Sequence, residues 1–357
     1  MNNLKNFYKK KKIFITGHTG FKGAWLTSTL IEFESKIMGY SVKDERTKIY
    51  KKICYYNKIH NVFADILDYK TLEKKLVKFK PDIIFHLAAQ SLVSESFKSP
   101  VKTVQTNING TLNILEISKK IKSLKSLVII TSDKCYLNKE YVRGYKENDA
   151  LGGDDLYSAS KAGAELIFNA YSNSFFNTQK KFGYATVRAG NVIGGGDWKK
   201  DRLIPDIIQA IKSNSKLILR NPKSTRPWQH VLDCINGYLV ASEYSYNMKK
   251  TFETWNFSPP LKNQIEVINF VKKLIKNFNY SNKIIKIKKM NLYESKYLNL
   301  SSSKAKKEIN WSTIMSQDEV IQYIIGWYNA YFSKKNMKNF SLKQIDLFYK
   351  LAKGKTK

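Results

Sequence analysis

Two short segments of this chain carry side chains that could move protons on a substrate. Tyr157 and Lys161 stand four residues apart. On a helix they share one face, where an ammonium lowers the pKa of a neighbouring phenol and suits it to act as a base. Upstream, Thr131-Ser132-Asp133-Lys134 sets a hydroxyl beside a carboxyl and an amine. A phenol, a hydroxyl and a lysine suffice for the proton transfer in an alcohol oxidation, with a hydride carrier as the oxidant. Asp133 and Lys134 add a second acid/base pair, which a simple oxidation does not need, so a further step on the oxidised substrate is expected.

A third segment supplies the place for a hydride carrier. Gly17-His18-Thr19-Gly20-Phe21-Lys22-Gly23 lies between an apolar run and a helical pattern. In that context missing side chains let the backbone approach a pyrophosphate at a helix N-terminus, where amide groups and the helix dipole favour anions. Gly17, Thr19, Gly20, Phe21 and Gly23 are the expected cofactor contacts. Asp65 and Ile66 are read as holding an adenine edge, and Leu87-Ala88-Ala89 as small enough for a cofactor to lie against the backbone. No acidic residue ends the second strand, at Gly39-Tyr40-Ser41-Val42, where a carboxylate would grip a ribose and favour NAD over NADP.

The elements that must position these residues follow from hydrophobic period. Ile13–Thr16, Ile37–Tyr40, Asn61–Asp65, Asp82–Leu87, Leu127–Thr131 and Tyr184–Arg188 read as strands. Trp25–Phe33, Thr71–Phe79, Val101–Lys120 and Tyr157–Phe176 read as helices between them. This alternation predicts an α/β fold, a Rossmann-type doubly wound parallel sheet with ligands at the carboxyl ends of its strands. After Asn191, glycines and prolines break up the pattern, and a smaller C-terminal substrate-binding lobe is expected. The expected division is 1–190 for the dinucleotide domain with the catalytic residues, 191–332 for the lobe, with strands that can interleave, and 333–357 for a Lys-rich tail with a short amphipathic stretch, Leu342–Leu351.

Composition narrows the partners. The formal net charge of the 357 residues is +33, which raises nucleic acid or an anionic membrane as a partner. The lysines are spread along the whole chain, without one basic face interleaved with stacking aromatics, so no nucleic-acid partner is expected. Six residues are arginine, and five of them, Arg143, Arg188, Arg202, Arg220 and Arg226, fall within 143–226, where a planar fork would suit a pyrophosphate. No run approaches the ~18 apolar residues of a membrane span. Cys54, Cys135 and Cys234 form neither a metal spacing nor a disulfide framework, which suits a reducing, cytoplasmic compartment. His18, His60, His86 and His230 show no ligand spacing, and no metal site is expected.

The segments Thr16–Gly23, Val187-Arg188-Ala189-Gly190-Asn191-Val192-Ile193-Gly194-Gly195-Gly196-Asp197-Trp198 and Arg226-Pro227-Trp228-Gln229-His230-Val231 resemble the extended short-chain dehydrogenase/reductases of the epimerase/dehydratase family. Within it they look most like the sugar-nucleotide 4,6-dehydratases that act on CDP-glucose, over roughly residues 12–330. Relatives acting on dTDP- and GDP-sugars carry an Asp-Glu or similar pair where this chain has Asp133-Lys134. The resemblance implies NAD, tightly bound and regenerated in each turnover. It also implies a nucleotide diphosphate sugar as substrate, received by Asn191, Arg202, Leu203, Arg220 and Arg226. Tyr157, near Ser132 and Lys161, takes the 4-hydroxyl proton; Lys134 takes the carbon-5 proton and Asp133 protonates the departing 6-hydroxyl. Asn107 resembles the helix Asn of the superfamily, a structural and proton-relay residue beside the cofactor. The helices Val101–Lys120 and Tyr157–Phe176 resemble the pair that forms a homodimer in relatives. The alternatives are another NDP-sugar 4,6-dehydratase, or a 4-epimerase of the same fold, which has no work for Asp133 and Lys134. The chain departs from the pattern at Leu300-Ser301-Ser302-Ser303-Lys304-Ala305, where Leu-Asp usually precedes Ser-Lys-Ala, and after Trp311, where Ser312 and Thr313 replace the usual nearby Pro.

Overall fold

The computed structural model describes residues 2–176, 182–248, 252–278, 284–288 and 297–355. Seven strands form one parallel sheet: β1 (Lys12–Thr16), β2 (Lys36–Ser41), β3 (His60–Phe63), β4 (Ile83–His86), β5 (Ser126–Ile130), β6 (Gly183–Ala189) and β7 (Phe252–Phe257). Their order is β7-β6-β5-β4-β1-β2-β3, every pairing parallel. The order reverses between β1 and β4, where a crevice opens at the carboxyl ends of the strands. This is the Rossmann-type doubly wound α/β fold.

Strand period decides which core each side chain enters. Ile13 and Ile15, Ile83 and Phe85, Val128 and Ile130 face one apolar cluster, while the intervening Phe14, Ile84, Leu127 and Ile129 face the other. Burial on both faces is why these strands read as continuous apolar runs rather than alternating ones. The first cluster gathers the helices Phe21–Glu32 and Val231–Met248 with the last two, Gln317–Phe332 and Met337–Lys355. The second gathers Tyr69–Phe79, Gly110–Ser118 and Leu156–Tyr171.

The expected strands are present with ends shifted by one or two residues. The long helix expected over Val101–Lys120 is broken into Pro100–Val104, a π-turn at Gln105–Asn109 and Gly110–Ser118. The cause is Asn107. Its amide donates to the Gln90 carbonyl at 3.0 Å and to Ser160 Oγ at 2.8 Å, and its oxygen accepts the Gln90 N–H at 2.8 Å, so the helix is held to the loop after β4 at the cost of its regular turn. The helix expected over Tyr157–Phe176 likewise ends at Tyr171 and passes into a π-turn, Ser172–Phe176.

β7 was not among the expected strands; its aromatic and polar residues, Phe-Glu-Thr-Trp-Asn-Phe, occupy an edge position beside β6. The amphipathic stretch near the C-terminus is longer than expected, a helix over Met337–Lys355 whose Ile345, Phe348 and Tyr349 are buried, with Tyr349 5.3 Å from the Phe33 ring. Beyond the sheet, two-stranded ladders join Val192–Ile193 to Gln229–His230, Thr225–Arg226 to Ile265–Glu266, and Leu217–Leu219 to Ile285–Ile287. No helix among the described residues is long and apolar enough to cross a membrane.

Candidate active site

The site assembles at the carboxyl ends of β1, β4 and β5. Gly17 leaves β1 with φ +71°, a left-handed conformation that disfavours side chains, and a Cβ there would lie 2.7 Å from the Ala88 nitrogen. Two turns on, a Cβ at Gly23 would lie 2.2 Å from the Gly17 carbonyl oxygen. The turn is closed by the Gly20 N–H donating to that oxygen at 3.0 Å, and the helix Phe21–Glu32 starts at once, four residues earlier than its apolar period suggests. A helix N-terminus with no carboxylate in its first turn, fronted by a bare backbone cradle, fits the pyrophosphate of a dinucleotide. Gly17, Thr19, Gly20, Phe21 and Gly23 would hold it there, alongside half-buried Leu87, Ala88 and Ala89.

The neighbouring strand ends are polar but uncharged. Ser41 closes β2 with its hydroxyl 2.9 Å from His18 Nδ1, while Asn61 Oδ1 lies 3.0 Å from Nε2. Burial, opposed by the Asn61 hydrogen bond, pushes the His18 pKa down to about 4, so His18 serves as neutral scaffold under the loop. Asp65 turns its carboxylate onto the Leu67 N–H at 3.0 Å, and Ile66 is buried against Gly110. His86 is buried between Thr16 Oγ1 (2.8 Å) and Thr111 Oγ1 (3.2 Å), and His230 between Trp25 and Tyr323.

The residues expected to move protons converge from two elements. Ser132, Asp133 and Lys134 follow β5, with Asp133 and Lys134 in a single 3₁₀ turn that Ser132 caps. Tyr157 and Lys161 lie on the helix Leu156–Tyr171, capped by Asp155, and the Tyr157 hydroxyl is hydrogen-bonded to Ser132. Ser132 Oγ also donates to Asp133 Oδ1 at 2.9 Å. Burial pushes the Asp133 carboxyl above its ordinary range, against the pull of Lys134, Ser132, Lys22 and Arg226. That favours the protonated acid.

The expected lowering of the Tyr157 phenol is not what the protein alone produces. Burial pushes it up to about 12, with the Ser132 hydrogen bond pulling down and Asp133 pushing further up. Lys161 is itself driven down to about 8, first by burial and then by the nearby Lys22 charge, and its Nζ lies 3.3 Å from the Ile130 carbonyl. Helical spacing placed the two side chains on one face but said nothing of desolvation, which is the largest influence on each.

The arginines divide. Arg202 spans Asp197 (3.0 Å) and Ser91 (3.1 Å), and its charge acts on Tyr157. Arg226 is buried in its short strand, and its charge acts on Asp133. Arg220 stands further out, paired with Asp201 at 3.2 Å in an exposed salt bridge. Asn191 holds the Gln229 N–H at 3.2 Å, and Leu203 begins the helix Leu203–Lys212.

Two features escaped the sequence reading. Lys22, in the glycine loop, turns into the site, donates to the Tyr238 hydroxyl at 3.1 Å, and bears on both Asp133 and Lys161. Glu165 lies one turn beyond Lys161 on the same face, a spacing visible in the sequence but without meaning until its partner Arg188 is seen.

This geometry has relatives. The family model described as GDP-mannose 4,6 dehydratase matches residues 14–324. The chain belongs to the GDP-mannose 4,6-dehydratase family. Within that family it is 41% identical over 347 residues to a CDP-glucose 4,6-dehydratase from Salmonella typhimurium, covering 96% of this chain and 97% of the relative. The fold of this dehydratase family recurs in a dTDP-glucose 4,6-dehydratase from Bacillus anthracis solved in complex with NAD, at TM-score 0.75 and 23% identity, covering 89% of this chain and 96% of that one. It recurs also in a UDP-glucose 4-epimerase from Thermotoga maritima, at TM-score 0.77 and 19% identity, with 90% and 99% coverage.

Proposed function

We propose that this protein is a CDP-glucose 4,6-dehydratase, an NAD-dependent hydro-lyase that converts CDP-glucose to CDP-4-dehydro-6-deoxyglucose and water. The observation that carries the reading is the buried Asp133 beside Ser132 and Tyr157, an acid with no role in oxidation or epimerisation. The extended match to the Salmonella enzyme supports the cytidine nucleotide. NAD, held at Gly17, Thr19, Gly20, Phe21 and Gly23, would supply an acceptor for the carbon-4 hydride and a donor for its return to carbon 6. The protein's own groups do the proton work. Tyr157 accepts the 4-hydroxyl proton, with Ser132, whose hydrogen bond draws the phenol down against burial, holding the oxygen and Lys161 one turn along the same helix. The resulting ketone acidifies carbon 5, where the amine of Lys134 removes the proton and gives it back to carbon 5 once carbon 6 has received the hydride. Asp133, whose protonated form burial favours, donates to the 6-oxygen as water leaves. Arg202 and Arg226, with Asn191, Leu203 and Arg220 further out, receive the nucleotide diphosphate, a role suited to permanently charged forks.

Exposed Phe97, Val101, Leu112, Leu156 and Leu166 lie on helices that pack together, a surface suited to a second copy in a homodimer. The three cysteines are buried free thiols, consistent with a cytoplasmic enzyme. Incubation with CDP-, dTDP-, UDP- and GDP-glucose and NAD tests the reading. A 4-keto-6-deoxy product, seen by its absorbance in alkali, is expected from CDP-glucose first; formation of CDP-galactose would instead establish an epimerase.

A further inference from the structure

Beneath the catalytic residues lies an ion pair sealed from water. Glu165 and Arg188 meet at 2.9 Å with side chains only 2% and 4% exposed. Arg188 grips both carboxylate oxygens, Nε to Oε1 at 3.0 Å and Nη2 to Oε2 at 2.9 Å. The same oxygens accept hydroxyl hydrogens, Oε1 from Thr131 and Oε2 from Thr186 at 2.8 Å. The third guanidinium nitrogen donates to the Tyr136 hydroxyl at 2.7 Å and to the Glu147 carbonyl at 3.1 Å, and Tyr136 donates on to Asn256 Oδ1 at 2.9 Å. Burial works against the Glu165 charge, but Arg188 and the two threonines hold its pKa below the ordinary carboxylate value.

Such a pair is a poor device for stability, because desolvating two charges offsets most of their attraction and apolar side chains of like volume serve a core as well. Its connections give it another role. Glu165 follows Lys161 by one helical turn, on the face that carries Tyr157. Thr131 immediately precedes Ser132, and Tyr136 lies two residues after Lys134. The network therefore grips the Ser132-Asp133-Lys134 segment at both ends and the Tyr157–Lys161 helix from below.

Resting on the dehydratase reading above, we propose that the Glu165–Arg188 pair, acting through Thr131 and Tyr136, is a positioning device. It holds the acid and base of elimination in register with the residues of oxidation. Neither residue touches the substrate. Oxidation at carbon 4 uses groups on or hydrogen-bonded to the helix, whereas elimination uses groups on the β5 segment. Loosening the tie between them should impair the second step more than the first.

The test compares wild type with Thr131→Val, which removes one hydroxyl at nearly constant shape, Thr131→Ser, which restores it, and Arg188→Lys, which keeps the charge but loses the fork. Each is assayed with CDP-glucose for kcat, KM and the fraction of cofactor reduced during steady turnover. For Thr131→Val and Arg188→Lys the expected result is a kcat lower by about tenfold to a hundredfold, with KM within about twofold and more reduced cofactor in the steady state. Thr131→Ser should recover most of the loss. Unchanged kcat in Thr131→Val, an equal loss in Thr131→Ser, or a fall in kcat without a rise in reduced cofactor overturns the inference. If Thr131→Val does not fold, Arg188→Lys and Thr131→Ser carry the same comparison. Wild-type protein that forms no 4-keto-6-deoxy sugar sinks the dehydratase reading itself, a result distinct from an active wild type with indifferent variants.

Discussion

Replacing Asp133 with asparagine separates the acid's chemistry from its packing. The side chain is 7% exposed, accepts the Ser132 hydroxyl at 2.9 Å, and has the same shape as asparagine, so Asp133→Asn leaves the local hydrogen bond available and removes only the transferable proton. A general acid contributes roughly 10²–10⁴ in rate, so kcat should fall by that factor, about 3–5 kcal/mol of transition-state stabilisation. Oxidation at carbon 4 needs no acid. Reduced cofactor should therefore accumulate and be seen by its near-ultraviolet absorbance while the ketosugar product lags. Stability should move the other way. Burial raises the Asp133 pKa in the folded protein above its ordinary 3.8, so its contribution to stability is full below that value and is lost as pH rises through the folded value. At neutral pH the asparagine variant should melt no lower than wild type, and its advantage should grow with pH. Turnover within about twofold of wild type would refute the assignment of the acid. So would a loss of activity matched by a lower melting temperature, which would make Asp133 a structural residue.

Two further outcomes follow from the geometry. Gly17→Ala places a methyl 2.7 Å from the Ala88 nitrogen and 2.8 Å from the Leu87 carbonyl carbon at a φ of +71°, where the backbone conformation alone costs about 1–2 kcal/mol. Calorimetry should show dinucleotide affinity lower by about tenfold or more together with a lower melting temperature, and unchanged affinity would remove the loop from the cofactor site. Asp233 is 1% exposed and accepts the Ile314 and Met315 N–H groups at 2.6 and 3.3 Å, yet burial raises its pKa from 3.8 to about 7. Its contribution to stability is complete below its unfolded pKa and lost as pH rises through about 7, so the stability of Asp233→Asn relative to wild type should increase by up to about 1.4 kcal/mol per pH unit between those limits. Urea denaturation across that range checks it; a pH-independent difference contradicts the argument.

Much of the sheet was legible because each central strand is a short apolar run buried on two faces, which local period reports directly. β7 was not, since Phe252–Phe257 mixes charged and aromatic residues and becomes a strand only by pairing with β6. The helix Val231–Met248 hid for the opposite reason: residues all around it are buried, and no polar face marks its period. The break at Asn107 is likewise a tertiary effect, imposed by the Gln90 backbone that its amide grips.

The sequence by itself determined the chemistry available. Residue identity sets which groups donate and accept protons, and spacings of three and four place them on one turn or one helix face whatever the fold. Tertiary structure decided their electrostatic state, because desolvation depends on what covers a group. It raised Tyr157 and Asp133, lowered Lys161, brought Lys22 and Arg226 within range of the acid, and joined Glu165 to Arg188, 23 positions further along the sequence.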